Sequence, residues 1–382
     1  MNRRKGGTDE IFQYKRISET HCETLPEYQG TSLAASNLLA CCIYEEGGGP
    51  SACLKVYHQM ARQAGCDEAS FIQKHDLLRH NACVFQKGDN LLEVFGPLAR
   101  ILPEARLNLV TVFLKHQNYS AAFNLMQDFT PSTIPELMCK ANVFLLFGQR
   151  RHSLPHLKDA AKMFFAVAST SGSNKIGLQS MFNYCFLKKD YRGALDCAER
   201  LESFSNDSTF YWNKCLALAF EGEYEEAKEA LVNVEDAQCE EEFLCLRWLC
   251  RLHILTGDSS AAINLCIQQI KNPPPIRATS MACSWDGCAL LKETADDCYA
   301  VGDFYAALKA FSLLDKEKCD PLLWPALRGA AAGFLHKLLT QREEVSRIPE
   351  VVQLLRHCSA TKVTRIVSCL KKVAKYHNVS LK

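Results

Sequence analysis

The sequence predicts an all-α chain, a right-handed solenoid of stacked helical hairpins closed at its C-terminal end by a helical cap. Three observations carry that expectation. One phrase, Gly222-Glu223-Tyr224-Glu225-Glu226-Ala227, recurs as Lys189-Asp190-Tyr191-Arg192-Gly193-Ala194, Gly257-Asp258-Ser259-Ser260-Ala261-Ala262 and Gly302-Asp303-Phe304-Tyr305-Ala306-Ala307, and more faintly as Gln117-Asn118-Tyr119-Ser120-Ala121-Ala122. The copies are evenly spaced: Tyr224 follows Tyr191 by 33 residues and Ser259 follows Tyr224 by 35. Around each copy the apolar residues fall at helical intervals. The phrase has a physical logic, with a turn residue ending one helix, an aromatic packing between two helices, and an alanine where they touch.

A period of about 34 residues with this hinge is the tetratricopeptide (TPR) signature. Tyr119 to Tyr191 spans 72 residues, room for one degenerate unit around Gly148. The expected organisation is a disordered leader over 1–30, degenerate hairpins over 31–174, clear repeats over 175–321 with a proline-rich insertion near 272–288, and a helical cap over 322–382.

In order, residues 1–30 are polar and lack helical periodicity. Arg3, Arg4 and Lys5 are basic, but Asp9, Glu10 and Glu19 speak against a transit peptide, which is poor in acids. Ser32 to Tyr44 predicts a helix, Gly47-Gly48-Gly49-Pro50 breaks it, and Ser51 to Ala64 follows with Pro50 in its first turn. The glycine triplet has neither a preceding strand nor a following Gly-Lys-Ser/Thr, so it reads as an interhelical turn rather than a phosphate loop. Phe71 to Phe85 predicts one helix, then Asn90 to Leu98, Glu104 to His116 behind Pro103, and Ala121 to Asp128. Pro135 opens Glu136 to Phe147, and Gly148 is expected to turn the chain into Leu157 to Ala168. The clear repeats then begin at Lys175, with inner faces supplied by Leu178, Phe182 and Cys185, by Tyr211, Cys215 and Leu218, and by Leu246, Cys250 and His253. Pro273-Pro274-Pro275 interrupts them. Leu291 to Ala300 and Tyr305 to Leu314 form the last hairpin, closed by Pro321. Leu322 to Thr340, Pro349 to His357 and Thr361 to Tyr376 make the cap. The last of these sets Val363, Ile366, Val367, Leu370 and Val373 against Lys362, Arg365, Lys371, Lys372 and Lys375. It reads as the polar-faced end of a solenoid, with a membrane-binding basic helix as the alternative.

The chain has 382 residues, 48% of them hydrophobic, which is ample for burial. With Lys+Arg 44 against Asp+Glu 43, no net field favours nucleic acid or an acidic membrane. Twenty cysteines invite a disulfide or zinc reading, but no C-x-x-C pair occurs and no charged-then-apolar export leader is seen. Most thiols occupy small-residue positions on helix faces, as reduced packing residues do. The nearest metal candidates are Cys283 with Cys288, Cys245 with Cys250, and His80 with Cys83. His152 and His156, four apart, read as a surface pair, and His253 as a satisfied interior histidine. No apolar run reaches the roughly 20 residues of a membrane span, so a cytosolic or contiguous compartment is expected. The final Ser380-Leu381-Lys382 has the letters of a peroxisomal signal in the wrong order.

No nucleophile elbow, phosphate loop or dinucleotide fingerprint is present, so no catalytic, cofactor-binding or metal-ligating residue is assigned and no cofactor is expected. A concave TPR groove receives a peptide or helix. One groove chemistry is a clamp for a C-terminal carboxylate. Asn183 and Asn213 stand where its asparagines would, yet Gln179, Leu244 and Trp248 fill the cationic positions, which argues against it. The hinge aromatics Tyr191, Tyr224 and Phe304 read as core.

Certain blocks lie outside the general hinge positions. They are Leu98-Ala99-Arg100-Ile101-Leu102-Pro103-Glu104-Ala105-Arg106-Leu107-Asn108-Leu109-Val110, Ala295-Asp296-Asp297-Cys298-Tyr299 with Phe304 to Phe311, Arg328-Gly329-Ala330-Ala331-Ala332-Gly333, Val351 to Arg356 and Lys371 to Lys375. In sequence and order these resemble the intraflagellar transport protein 56 (tetratricopeptide repeat protein 26) family from about Leu33 to the C-terminus. The family's further N-terminal hairpins have no counterpart here, and the first thirty residues look unrelated to them. The resemblance implies a non-enzymatic scaffold of the intraflagellar transport B complex. It implies other B-complex subunits as partners, motility-related cargo, and a location in the cilium or flagellum and basal body with a cytoplasmic pool. A general TPR adaptor of another cytosolic assembly and a thiol or metal enzyme are the other function classes weighed.

Overall fold

The computed structural model describes residues 33–87, 90–204, 207–234, 239–272, 287–316, 323–356 and 363–380. The expected leader, the prolines 273–275 and Pro321 lie outside the described residues. Among the described residues the structure is helical throughout, an all-α solenoid. The chain divides into two compact units, Met1–Lys188 and Lys189–Lys382.

Unit 1 contains α1 (Leu33–Glu45), α2 (Pro50–Gln63), α3 (Glu68–Lys74), α4 (Asp76–Phe85), α5 (Leu91–Leu98), α6 (Pro103–Lys115), α7 (Tyr119–Met126), α8 (Ile134–Arg150), α9 (Leu154–Ser171) and α10 (Lys175–Lys188). Each helix packs on the next, and α2 with α4 and α6 with α8 meet as next-but-one neighbours. Two expectations are corrected. The single helix over Phe71 to Phe85 is two, because His75 is extended at φ −116° and ψ 104°, while Asp67 caps α3 by accepting from Ser70 N. Gly148 does not turn the chain. It lies inside α8, and a Cβ there would sit 3.0 Å from Leu157 of α9, so its role is close helix contact. The turn comes at His152, left-handed at φ 51°.

Unit 2 contains α11 (Tyr191–Leu201), α12 (Ser208–Glu221), α13 (Tyr224–Val232), α14 (Cys239–Leu255), α15 (Ser259–Lys271), α16 (Gly287–Ala300), α17 (Phe304–Lys316), α18 (Leu323–Leu339), a 3-10 turn (Val345–Arg347), α19 (Ile348–Arg356) and α20 (Val363–Tyr376). From α11 to α18 successive helices pack on one another, and α14 with α16 and α15 with α17 meet across the intervening helix.

The recurring phrase explains how these hairpins turn. After α14, Gly257 is left-handed at φ 88°, its N–H donates to Ile254 O at 3.1 Å, and Asp258 N donates to His253 O at 2.8 Å. After α16, Gly302, Tyr299 O, Asp303 and Cys298 O repeat the pattern, and after α6 so do Gln117, Leu114 O, Asn118 and Phe113 O. These are paired bonds that close a helix C-terminus. The residue after the turn then caps the next helix: Asn118 Oδ1 accepts from Ala121 N, Asp190 Oδ1 from Gly193 N, Asp258 Oδ1 from Ala261 N and Asp303 Oδ1 from Ala306 N.

A buried polar chain runs through the core of unit 1. Asn108 Nδ2 donates to His80 Nε2 at 3.1 Å, and His80 Nδ1 then donates to Asn81 Oδ1 at 2.8 Å. Asn81 Nδ2 donates to Asn37 Oδ1 at 2.9 Å, which also accepts from Tyr57 OH at 2.6 Å. Four helices, α1, α2, α4 and α6, are joined by it. The His80 ring is fully buried and stacks on Phe95 at 5.0 Å, with both ring nitrogens bonded, to Asn108 and to Asn81. Burial pushes the imidazole below its ordinary value, against the weaker pull of its Asn81 bond and of Glu104.

At the C-terminal end, α18 presents Gly329 and Gly333 to the preceding hairpin. A Cβ on Gly333 would come within 2.6 Å of the Phe304 ring, and one on Gly329 within 3.1 Å of Tyr299 OH. Glycine here lets two aromatics lie directly on a helix. Tyr305 is held between Lys309 at 4.4 Å and Arg347 at 4.6 Å, and its hydroxyl donates to Glu350 of α19. On α20, Val367, Leu370 and Ala374 are buried in the core with α18 and α19, while Arg365, Lys371, Lys372 and Lys375 face outward. Its apolar side is thus occupied by the protein.

Two outcomes follow. His80 binds its proton less readily folded than unfolded, so below about pH 6.5 the unfolded chain holds the extra proton and unit 1 loses stability as pH falls. Thermal melts from pH 7.5 to 5.5 should show this decline, and His80→Gln should flatten it. Gly333→Ala should cost about 1–3 kcal/mol through overpacking, read as a lower denaturant midpoint.

Candidate interaction surface

The surface built from α14 and α16 has the clearest chemistry. On α14, Leu244, Arg247, Trp248 and Arg251 recur at i, i+3, i+4 and i+7, which places them on one stripe. On α16, Glu293, Asp296 and Asp297 do the same. Arg247 pairs with Glu293, and Arg251 Nη2 lies 3.1 Å from Asp297 Oδ1. Both pairs are separated by 46 residues (293−247 and 297−251), so the two helices run in the same direction with their stripes in register. The pairs line a cleft of about 300 Å³ together with Trp248 and Asp296.

An aromatic row leads to this cleft. Tyr191 stacks on Phe220 at 5.3 Å, Phe220 meets the Trp248 ring edge-on at 5.9 Å, and the Arg251 guanidinium lies 5.6 Å from the Trp248 centroid. Phe220 remains 50% exposed and Leu244 37%. Burial raises the Asp296 carboxyl above its ordinary value, opposed by Lys292 and reinforced by Asp297. The wall therefore offers apolar rings beside fixed charges, a composition suited to protein contact.

The residues singled out from sequence fall as follows. Asn183 lies on α10 of unit 1 and Asn213 on α12 of unit 2. Arg247 and Arg251, which flank Trp248, are committed to carboxylates of the same unit, so they do not supply a carboxylate clamp. His152 is exposed at its turn, but His156 is not a surface residue: it is half-buried among Phe123, Phe144 and Phe147, with Nδ1 2.6 Å from Ser153 Oγ. His253 is half-buried, and its Nδ1 has no hydrogen-bond partner among the described residues. The hinge aromatics Tyr191, Tyr224 and Phe304 are half-buried in their hairpins. Most of the cysteines whose side chains are described are buried; Cys283 lies outside the described residues. Among the described residues no helix is long and apolar enough to cross a membrane, and no group of three His, Cys, Asp or Glu is placed to hold a metal. Sequence reading missed the Arg247–Glu293 and Arg251–Asp297 pairs; the matching four-residue steps on both helices were the available signal.

The model for the family described as intraflagellar transport protein 56 matches residues 12–382. The chain belongs to this family. The match begins 21 residues before Leu33 (33−12), so the resemblance reaches into the stretch expected to look unrelated. A curated relative, an intraflagellar transport protein 56 homolog of Caenorhabditis elegans, is 28% identical over 312 residues, covering 80% of this chain and 52% of its own length. The chain thus spans about half the length of that relative. Among solved structures, a circular tandem repeat protein with novel repeat topology and enhanced subunit contact surfaces is similar at 14% identity over 90% of this chain and 75% of its own. Its TM-score of 0.18 carries no argument about arrangement.

The Arg251–Asp297 pair is half in solvent, so its coupling to stability should be under about 1 kcal/mol. A double-mutant cycle with Arg251→Ala and Asp297→Ala, followed by urea unfolding, reads that coupling directly.

Proposed function

We propose that this chain is a non-enzymatic adaptor of the intraflagellar transport B complex, acting in cilium or flagellum assembly and in cargo transport by binding other subunits. The match to the family over residues 12–382 is the observation that carries this reading. The helical stack supports it physically, because such stacks present long continuous faces for partner segments. Its partners are other intraflagellar transport components, with motility-related ciliary cargo carried by the assembled particle. Its places of action are the cilium or flagellum and the basal body, supplied from a cytoplasmic pool. Within the chain, the α14–α16 wall is the docking face, with Trp248 as its anchor.

Affinity purification of a tagged chain from ciliated cells, with mass spectrometry of what accompanies it, tests the proposal. Recovery of B-complex subunits is expected. Trp248→Ala, in a bait with unchanged circular dichroism, should weaken that recovery by about 30-fold if the ring is a central anchor. A soluble, folded bait that recovers none of them, even when joined to the further N-terminal hairpins of a relative, would overturn the assignment.

A further inference from the structure

Behind the α14–α16 wall lies a pair of thiols that the adaptor role does not use. Cys250 of α14 and Cys266 of α15 are 2% and 0% exposed, and their sulfurs lie 3.9 Å apart. Cys266 Sγ is also 3.2 Å from Thr294 Oγ1 of α16, and Cys250 Sγ is 3.8 Å from the carbonyl oxygen of Ala262. Thr294 keeps a second bond, donating to Leu290 O at 2.8 Å, so it stays satisfied if the thiol contact is lost.

We propose that Cys250 and Cys266 form a peroxide-oxidisable dithiol that closes to a disulfide between the two helices of one hairpin. The geometry is the ground for it. A disulfide needs its sulfurs about 2.05 Å apart, so closure asks for a movement of about 1.9 Å, within the reach of rotamer and small helix shifts. The contact between the two sulfurs holds the Cys266 thiol below its ordinary value, while that contact and burial push Cys250 up. Attack by Cys266 with Cys250 resolving, or the exchange of those roles, ends in the same disulfide.

In the first step the Cys266 thiolate attacks one oxygen of hydrogen peroxide. The O–O bond breaks, and the departing hydroxide takes up the proton that Cys266 released, giving water and a sulfenic acid. Cys250 sulfur then attacks Cys266 sulfur. The S–O bond breaks and the hydroxyl leaves with the Cys250 proton as a second water. Two electrons pass from the two thiols to peroxide. Because both sulfurs are buried, the reaction proceeds through local opening of the hairpin, and the exposed Cys369 supplies an internal comparison.

The position gives the bond a consequence. Cys250 is the neighbour of Arg251 on α14, and Thr294, which Cys266 touches, is the neighbour of Glu293 on α16, so the buried dithiol shares its helices with the two arginine–carboxylate pairs. Closing it ties α14 to α15 and releases the Cys266 contact to α16, altering the footing of the wall.

The test uses the full chain, reduced, desalted and exposed to graded hydrogen peroxide while folded. It is then alkylated in denaturant and digested with trypsin, which separates the two cysteines at Arg251. The expected product is a Cys250–Cys266 linked peptide pair, with loss of two alkylatable thiols and a raised melting midpoint that dithiothreitol reverses. Cys298→Ser should retain the link, and Cys250→Ser should instead leave Cys266 open to dimedone as a sulfenic acid. Recovery of Cys250 and Cys266 as separately alkylated peptides, at a peroxide dose that oxidises Cys369, overturns the proposal. So does a link from either of them to any other cysteine.

Discussion

The backbone groups at helix ends set the terms for this fold. A chain made of short helices has many ends, and each end leaves donors or acceptors without an intrahelical partner. The hinges at Gln117-Asn118, Gly257-Asp258 and Gly302-Asp303 answer with one compact device. A left-handed residue folds the C-terminal amides back onto the last carbonyls, and the following Asn or Asp caps the first amides of the next helix. The hinge at Gly257-Asp258 satisfies both ends within two residues. The antiparallel return of each hairpin, and so the stacking of apolar faces, depends on that closure.

Side-chain polarity does a second job in the core of unit 1. The row from Asn108 through His80, Asn81 and Asn37 to Tyr57 has a single sense, each donor meeting an acceptor. Turning one amide or protonating the ring would put like against like in a dry interior, where an unmatched group is costly. The row therefore discriminates among packings that apolar contacts alone would tolerate equally. In unit 2 the comparable fixing of neighbours is done by small residues, Gly329 and Gly333, which let Tyr299 and Phe304 approach α18 without side chains between.

What could be read from the sequence was what is local. The hinges were legible because turn, cap and aromatic lie within six residues, and the helices they bound follow with shifts of a few residues at their ends. Gly148 misled because glycine marks both turns and close helix contacts; the residue that turns the chain is His152, whose left-handed backbone no residue rule announces. The break at His75 was hidden inside a continuous apolar period. Asn37, Asn81 and Asn108 look like blemishes on apolar faces until the helices that pair them are adjacent. The α14–α16 wall was half visible: Leu244 and Trp248 drew notice as departures from a clamp, but their charged neighbours acquire meaning only when helices 46 residues apart stand in register.

The self-closing hinge bears on how such a chain changes over generations. Where a hinge satisfies both of its ends, as at Gly257-Asp258 and Gly302-Asp303, a whole unit can be inserted, lost or allowed to drift without orphaning polar backbone in its neighbours. Recognisable blocks separated by diverged ones are the trace such modular inheritance leaves.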